Sequence, residues 1–184
     1  MADIKQSRIL IMASDGFEQS ELLVPLQKLK EAGATVHVAT PDKKPIKGWD
    51  KKDWGETVQA DRAISDVSAG DYDALVLPGG QINPDVLRLD ETAVGLVREF
   101  ASSGKVVAAI CHAPWLLVEA GLAAGREMTS YQSIKTDVKN AGATWVDKEV
   151  VVDDGIVTSR APGDLPAFVA KIIEEVSEGR HQRR

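Results

Sequence analysis

The sequence predicts a doubly wound α/β fold, a mainly parallel sheet covered by helices on both faces. Two observations carry this. Short runs rich in Val, Ile and Leu recur along the chain and are apolar on both faces, which is the mark of buried parallel strands. Segments with helical spacing separate them, as crossover connections require. The 184 residues, 43% apolar and 27% charged, suit one globular domain over 1–184 with a core that needs no staples.

Arg8–Ala13 reads as the first strand and Glu18–Ala32 as an amphipathic helix carrying Leu22, Leu23, Leu26 and Leu29 on one stripe. Gly33 closes that helix. Thr35–Ala39 is the second strand, Tyr72–Leu77 the third, and Lys105–Ile110 the fourth, running straight into Cys111. Between the last two, Glu91–Ser102 has helical spacing behind the N-cap residue Asp90. Ser133–Asn140 is expected to be helical, and Val146–Val152 with Ile156–Ser159 to pair around Asp153-Asp154-Gly155. Leu165–Val176 is the closing helix, with a frayed tail over 179–184. Pro41–Val58 breaks the pattern: it holds Trp49 and Trp54 among five lysines and has no helical period. We read it as a hairpin projecting from the sheet.

The formal charge of −6, with no basic run before Arg180–Arg184, gives little electrostatic basis for nucleic acid as a partner. No apolar stretch approaches the roughly 18 residues of a membrane span. The single cysteine and a start without the plan of a signal peptide place the chain, as an expectation, in the reducing cytoplasm. Metal-ligand spacings, glycine-rich dinucleotide turns and phosphate-binding loops are missing from the sequence, so neither metal nor cofactor is expected.

In open parallel sheets, ligands gather at the carboxyl ends of the strands. Three clusters fall there: Asp15-Gly16-Phe17-Glu18, Pro78-Gly79-Gly80 and Cys111-His112-Ala113-Pro114. Cys111 follows its strand without a spacer, and Pro114 suits the first turn of a helix. The thiol is thus expected at a helix N-terminus, which favours thiolate and lowers the thiol pKa. A lone cysteine is more often a small buried hydrophobe, but a packing residue has no reason to occupy a strand-helix corner. His112 is the favoured general base, if a sharp turn lets both side chains face one pocket. A buried carboxyl beside a thiol keeps its proton and can donate to sulfur. Glu18 is the candidate, with an ordinary helix-terminal acid as its equal alternative. Gly79 and Gly80 permit close backbone approach and could line an oxyanion site, or simply make a tight turn.

The run Ala109-Ile110-Cys111-His112-Ala113-Pro114-Trp115-Leu116-Leu117 closely resembles the nucleophile elbow of the PfpI family, in the Parkinsonism-protein superfamily of class I glutamine-amidotransferase-like proteins. Agreement extends through Asp15–Leu22, Tyr72–Gly80, Thr129-Ser130-Tyr131, Ala141–Asp147 and Val157–Arg160. The resemblance implies a flavodoxin-like three-layer sandwich, Cys111 as nucleophile, and Glu18 hydrogen-bonded to its sulfur. It also implies an acid completing the histidine, often from a neighbouring subunit and matched here by Asp85, and hence a dimer or larger homo-oligomer. Ala113 stands where the family usually has Gly.

Family activities are glutathione-independent glyoxalase, deglycase, intracellular peptidase and stress protection. The leading expectation is a cysteine-dependent enzyme of stress defence acting on small reactive aldehydes or their glycation adducts. A PfpI-type peptidase is the second, and a redox-sensing stress protein or chaperone, with Cys111 oxidised and no turnover, the third.

Overall fold

The computed structural model describes residues 3–182. Strand β1 (Arg8–Met12) leads into helix α1 (Gln19–Glu31) and strand β2 (Thr35–Thr40). An antiparallel hairpin, β3 (Ile46–Asp50) and β4 (Asp53–Val58), precedes the short β5 (Arg62–Ala63). Strand β6 (Ala74–Leu77), helices α2 (Ile82–Leu87) and α3 (Glu91–Ser102), strand β7 (Val106–Ile110) and helix α4 (Pro114–Glu119) follow. The chain ends with β8 (Glu127–Met128), α5 (Lys135–Asn140), β9 (Thr144–Trp145), β10 (Val151–Asp153), β11 (Ile156–Ser159) and α6 (Leu165–Glu178).

Seven strands form the central sheet in the order β10-β11-β7-β6-β1-β2-β5, parallel except for β10 at one edge. Alternate residues of each strand feed opposite layers. Leu10, Met12, Leu75, Leu77, Val107 and Ala109 pack with the apolar side of α3 and α4. Ile9, Ile11, Val76, Ala108 and Ile110 pack with Leu22 and Leu29 of α1 and Phe168 and Ile172 of α6. This is the flavodoxin-like three-layer sandwich expected from the sequence, and every central strand reads apolar because both faces are covered.

The direction of winding reverses between β1 and β6, so the loops at their carboxyl ends part and leave a crevice. Buried Asn83 ties these loops together. It accepts from the Ser14 amide at 2.7 Å and donates to the carbonyls of Pro78 and Gly79 at 2.9 and 3.2 Å. The hairpin expected in Pro41–Val58 is present and hangs over the same crevice. The Trp49 amide donates to the Phe17 carbonyl at 2.7 Å, and the indoles of Trp49 and Trp54 meet edge to face. No helix among the described residues is long and apolar enough to cross a membrane.

Two expectations need correction. The antiparallel pair at the sheet edge begins at Val151 rather than Val146, because Trp145 pairs in the separate β8–β9 ribbon. The tail is not frayed through its described part. The His181 amide donates to the Gly104 carbonyl at 2.8 Å, and its ring packs where a side chain on Gly155 would have to go. Residues 183 and 184 lie outside the described residues.

Candidate active site

Strand β7 delivers Cys111 to the crevice in a left-handed backbone conformation, φ 65°. For a residue with a Cβ this is strained, and local hydrogen bonds hold it. The Cys111 amide donates to the Ser159 carbonyl at 3.0 Å, its carbonyl accepts from the Tyr131 amide at 2.8 Å, and the Ala113 amide closes the turn on Ile110 at 3.0 Å. The expected elbow is therefore present. It throws the Cys111 and His112 side chains to the same side, with Sγ 3.2 Å from Nδ1.

The carboxyl at the sulfur is Glu21, not Glu18. Glu18 is the N-cap of α1, and its side chain folds back to accept from the Glu21 amide at 2.9 Å and the Ser20 hydroxyl at 2.5 Å. Capping satisfies that carboxylate locally, leaving Glu18 on the cavity wall rather than on the thiol. Glu21, one turn further on, is fully buried beside Cys111. Its Oε2 accepts from the Gly79 amide at 2.7 Å, while Oε1 has no hydrogen-bond partner of ordinary geometry. Burial, reinforced by the charge of Glu18, pushes its pKa up to about 8, so near neutral pH it holds a proton.

The glycine pair is needed for space. A Cβ on Gly79 would lie 2.7 Å from Cys111 Cβ, and one on Gly80, at φ 84°, would lie 2.5 Å from the Gly16 carbonyl. The Gly79 amide is committed to Glu21, which takes it out of the expected oxyanion role, whereas the Gly80 amide faces the Cys111 sulfur.

The expectation of a thiol lowered by a helix terminus is also corrected. Burial pushes the Cys111 thiol up, and Glu21 adds to this only at pH values where it is ionised, against the amides of Gly80 and His112. Helix α4 has six residues and no side-chain cap, too short to offset the loss of solvent around a side chain only 5% exposed. His112 is pushed down by burial. Burial thus disfavours charge on both members of the pair.

The His112 ring is held on three sides. Tyr131 stacks on it with centroids 4.7 Å apart, Trp115 meets it edge to face at 5.3 Å, and Nε2 lies 3.1 Å from the Ser133 hydroxyl. Asp85 is exposed on the first turn of α2 and shares a cleft with His112. Within the chain no hydrogen bond joins them; the polar partner of Nε2 is Ser133.

The cavity over Cys111 measures about 410 Å³ and is lined by Glu18, Trp49, Lys51, Gly80, His112 and Tyr131, among others. Among the described residues one group of ligand-type side chains clusters, Glu175, Glu178 and His181. It lies beside Gly104 and Gly155, at the opposite end of the strands from the thiol.

The sequence model of the DJ-1/PfpI family matches residues 7–175. The chain belongs to the DJ-1/PfpI family. Among relatives of this DJ-1/PfpI protein, Deglycase TK1284 of Thermococcus kodakarensis is 46% identical over 167 residues, covering 91% of this chain and 98% of the relative. Protein/nucleic acid deglycase 2 of Escherichia coli is 45% identical over 162 residues, covering 88% and 92%. The crystal structure of Drosophila melanogaster DJ-1beta superposes with a TM-score of 0.85 at 33% identity, covering 94% of this chain and 91% of the other. With these relatives, this DJ-1/PfpI member is an enzyme.

Sequence reasoning missed Glu21 and Ser133. Glu21 had a readable signal, because Glu21, Pro25 and Leu29 fall at spacings of four and all three are buried. A carboxyl on the buried stripe of a helix is the one able to meet a core thiol. Ser133 had none, since its position depends on how the turn after Tyr131 crosses the elbow.

Proposed function

We propose that this DJ-1/PfpI member is a cysteine-dependent enzyme of the deglycase type, acting on small reactive aldehydes or on their glycation adducts in stress defence. The observation that supports it most is the 3.2 Å approach of Cys111 Sγ to His112 Nδ1 on a strained elbow, with a proton-holding carboxyl on the sulfur. His112 takes the thiol proton on Nδ1 as sulfur bonds to the carbonyl carbon. The carbonyl π pair moves to oxygen, and the imidazolium returns the proton there to give a hemithioacetal. Glu21 donates to the sulfur while it carries negative charge and keeps its own proton. No external oxidant or reductant enters this addition.

A cavity of about 410 Å³ walled by Trp49 and Tyr131 suits a short dicarbonyl or a single glycated side chain. Self-association is part of the proposal. Ile82, Val86 and Leu89, the last 84% exposed, form an apolar stripe around Asp85 beside the cavity mouth, and a second copy would cover it.

The testing experiment follows methylglyoxal loss and release of a glycated thiol or amine, with wild type and Cys111→Ala side by side. Turnover that vanishes in the variant supports the proposal. Cleavage of unmodified peptides without aldehyde turnover would replace it with the peptidase assignment, and sulfinate formation without turnover with the redox one.

A further inference from the structure

We propose that Ser133 is a positioning residue for the Cys111–His112 pair, accepting a hydrogen bond from His112 Nε2 so that the imidazole is fixed in its reactive tautomer within a single chain. The inference deepens the proposed function and rests on its assignment of His112 as the base.

Three observations carry it. Nε2 lies 3.1 Å from Ser133 Oγ while Nδ1 lies 3.2 Å from Cys111 Sγ, so both ring nitrogens are engaged and their roles are linked. Nδ1 is the ring nitrogen that faces the sulfur, and as the base of the proposed addition it must present its lone pair to the thiol proton. The ring proton of neutral imidazole then resides on Nε2, and Ser133 Oγ is its acceptor. The serine is also held in place from both sides. It lies in a 3-10 turn, Gln132–Ile134, anchored behind by buried Ile134 and in front by the Tyr131 amide on the Cys111 carbonyl. The Tyr131 ring, stacked on the imidazole, fixes the ring plane and Ser133 the direction within it.

A hydroxyl in this position has a consequence that a carboxylate would not. It orients the ring without adding negative charge, so it does not hold the imidazolium, and His112 stays neutral and ready to accept. Asp85 is exposed elsewhere in the same cleft, and an acid reaching Nε2 from a second copy would have to displace a bond already made.

The test reads His112 directly, with no substrate, by long-range ¹H–¹⁵N NMR near pH 7.5. The chain has three histidines, and comparison with His37→Gln and His181→Gln assigns them. Wild type is expected to show the Nε2–H tautomer, Ser133→Ala a mixture of the two tautomers, and Ser133→Thr a return toward wild type. In turnover of methylglyoxal, Ser133→Ala should lower kcat about three- to tenfold, the equivalent of one hydrogen bond, with KM little changed and Ser133→Thr restoring most of it. Wild-type and Ser133→Ala spectra that coincide would overturn the proposal, as would a tautomer shift on Asp85→Asn but not on Ser133→Ala. Because the spectra need no turnover, failure of the aldehyde assignment leaves this test standing.

Discussion

Replacing Glu21 by Gln should change how the stability of the protein depends on pH, and the size of the change follows from burial. The Glu21 carboxyl titrates near its ordinary value of 4.5 in the unfolded chain and near 8 in the folded one. Between those values the native state holds a proton that the unfolded state has lost. Stability therefore falls as pH rises, by about 1.4 kcal/mol per unit. From pH 5 to pH 8 the loss approaches roughly 4 kcal/mol, a ceiling, since Cys111 shares the same buried space. Glutamine keeps an oxygen for the Gly79 amide and offers an N–H on the side where Oε1 lacks a partner, yet it cannot ionise. Urea unfolding at intervals from pH 5 to pH 8.5, with reductant present, should give a wild-type curve that drops relative to the Glu21→Gln curve. Above pH 8, where the folded carboxyl is also ionised, the difference should level off. Parallel curves across the whole range would mean that Glu21 ionises normally, and the proton-holding carboxyl on the sulfur would be refuted.

Other outcomes follow from the same geometry. Gly80→Ala combines a φ of 84° with a Cβ 2.5 Å from the Gly16 carbonyl, so calorimetry should show a loss of more than about 1 kcal/mol. Asp90→Ala removes the side chain that caps the amides of Thr92 and Ala93 at the start of α3. Urea unfolding should register a cost of about 1 kcal/mol. Leu89→Glu places a charge on the apolar stripe just beyond α2, and light scattering should report a lower mass than for wild type; an unchanged mass would move the proposed interface elsewhere.

The fold was legible because its signals are local and mutually consistent. Strands buried on both faces read as unbroken apolar runs, and helices announce themselves by Asp90 at a cap or Gly33 after an end. The elbow was legible for the same reason, since a strand ending at Ile110 and a proline at 114 leave three residues for a sharp turn. Legibility failed where side-chain direction decides. Glu18 and Glu21 are both acids in the opening turn of one helix, and only the helix start at Gln19 tells which folds back as cap and which points into the core. The described part of the tail failed for a related reason. His181 is polar in sequence, but its backbone bond to Gly104 and packing on Gly155 are long-range. Likewise the thiol's response to burial depends on a depth of enclosure that one helix terminus at a strand end does not convey.

The central claim is that Cys111 adds to carbonyl carbon with His112 as its base. Its most direct test is single-turnover mass spectrometry of the intact protein mixed with methylglyoxal and quenched at intervals in cold dilute acid, where collapse of a hemithioacetal is slow. Wild type should show a transient adduct of one methylglyoxal mapping to Cys111, formed 10²–10⁴-fold more slowly in His112→Ala and absent in Cys111→Ala. An adduct that forms equally fast without His112, or turnover that proceeds with no adduct on Cys111, would contradict the account.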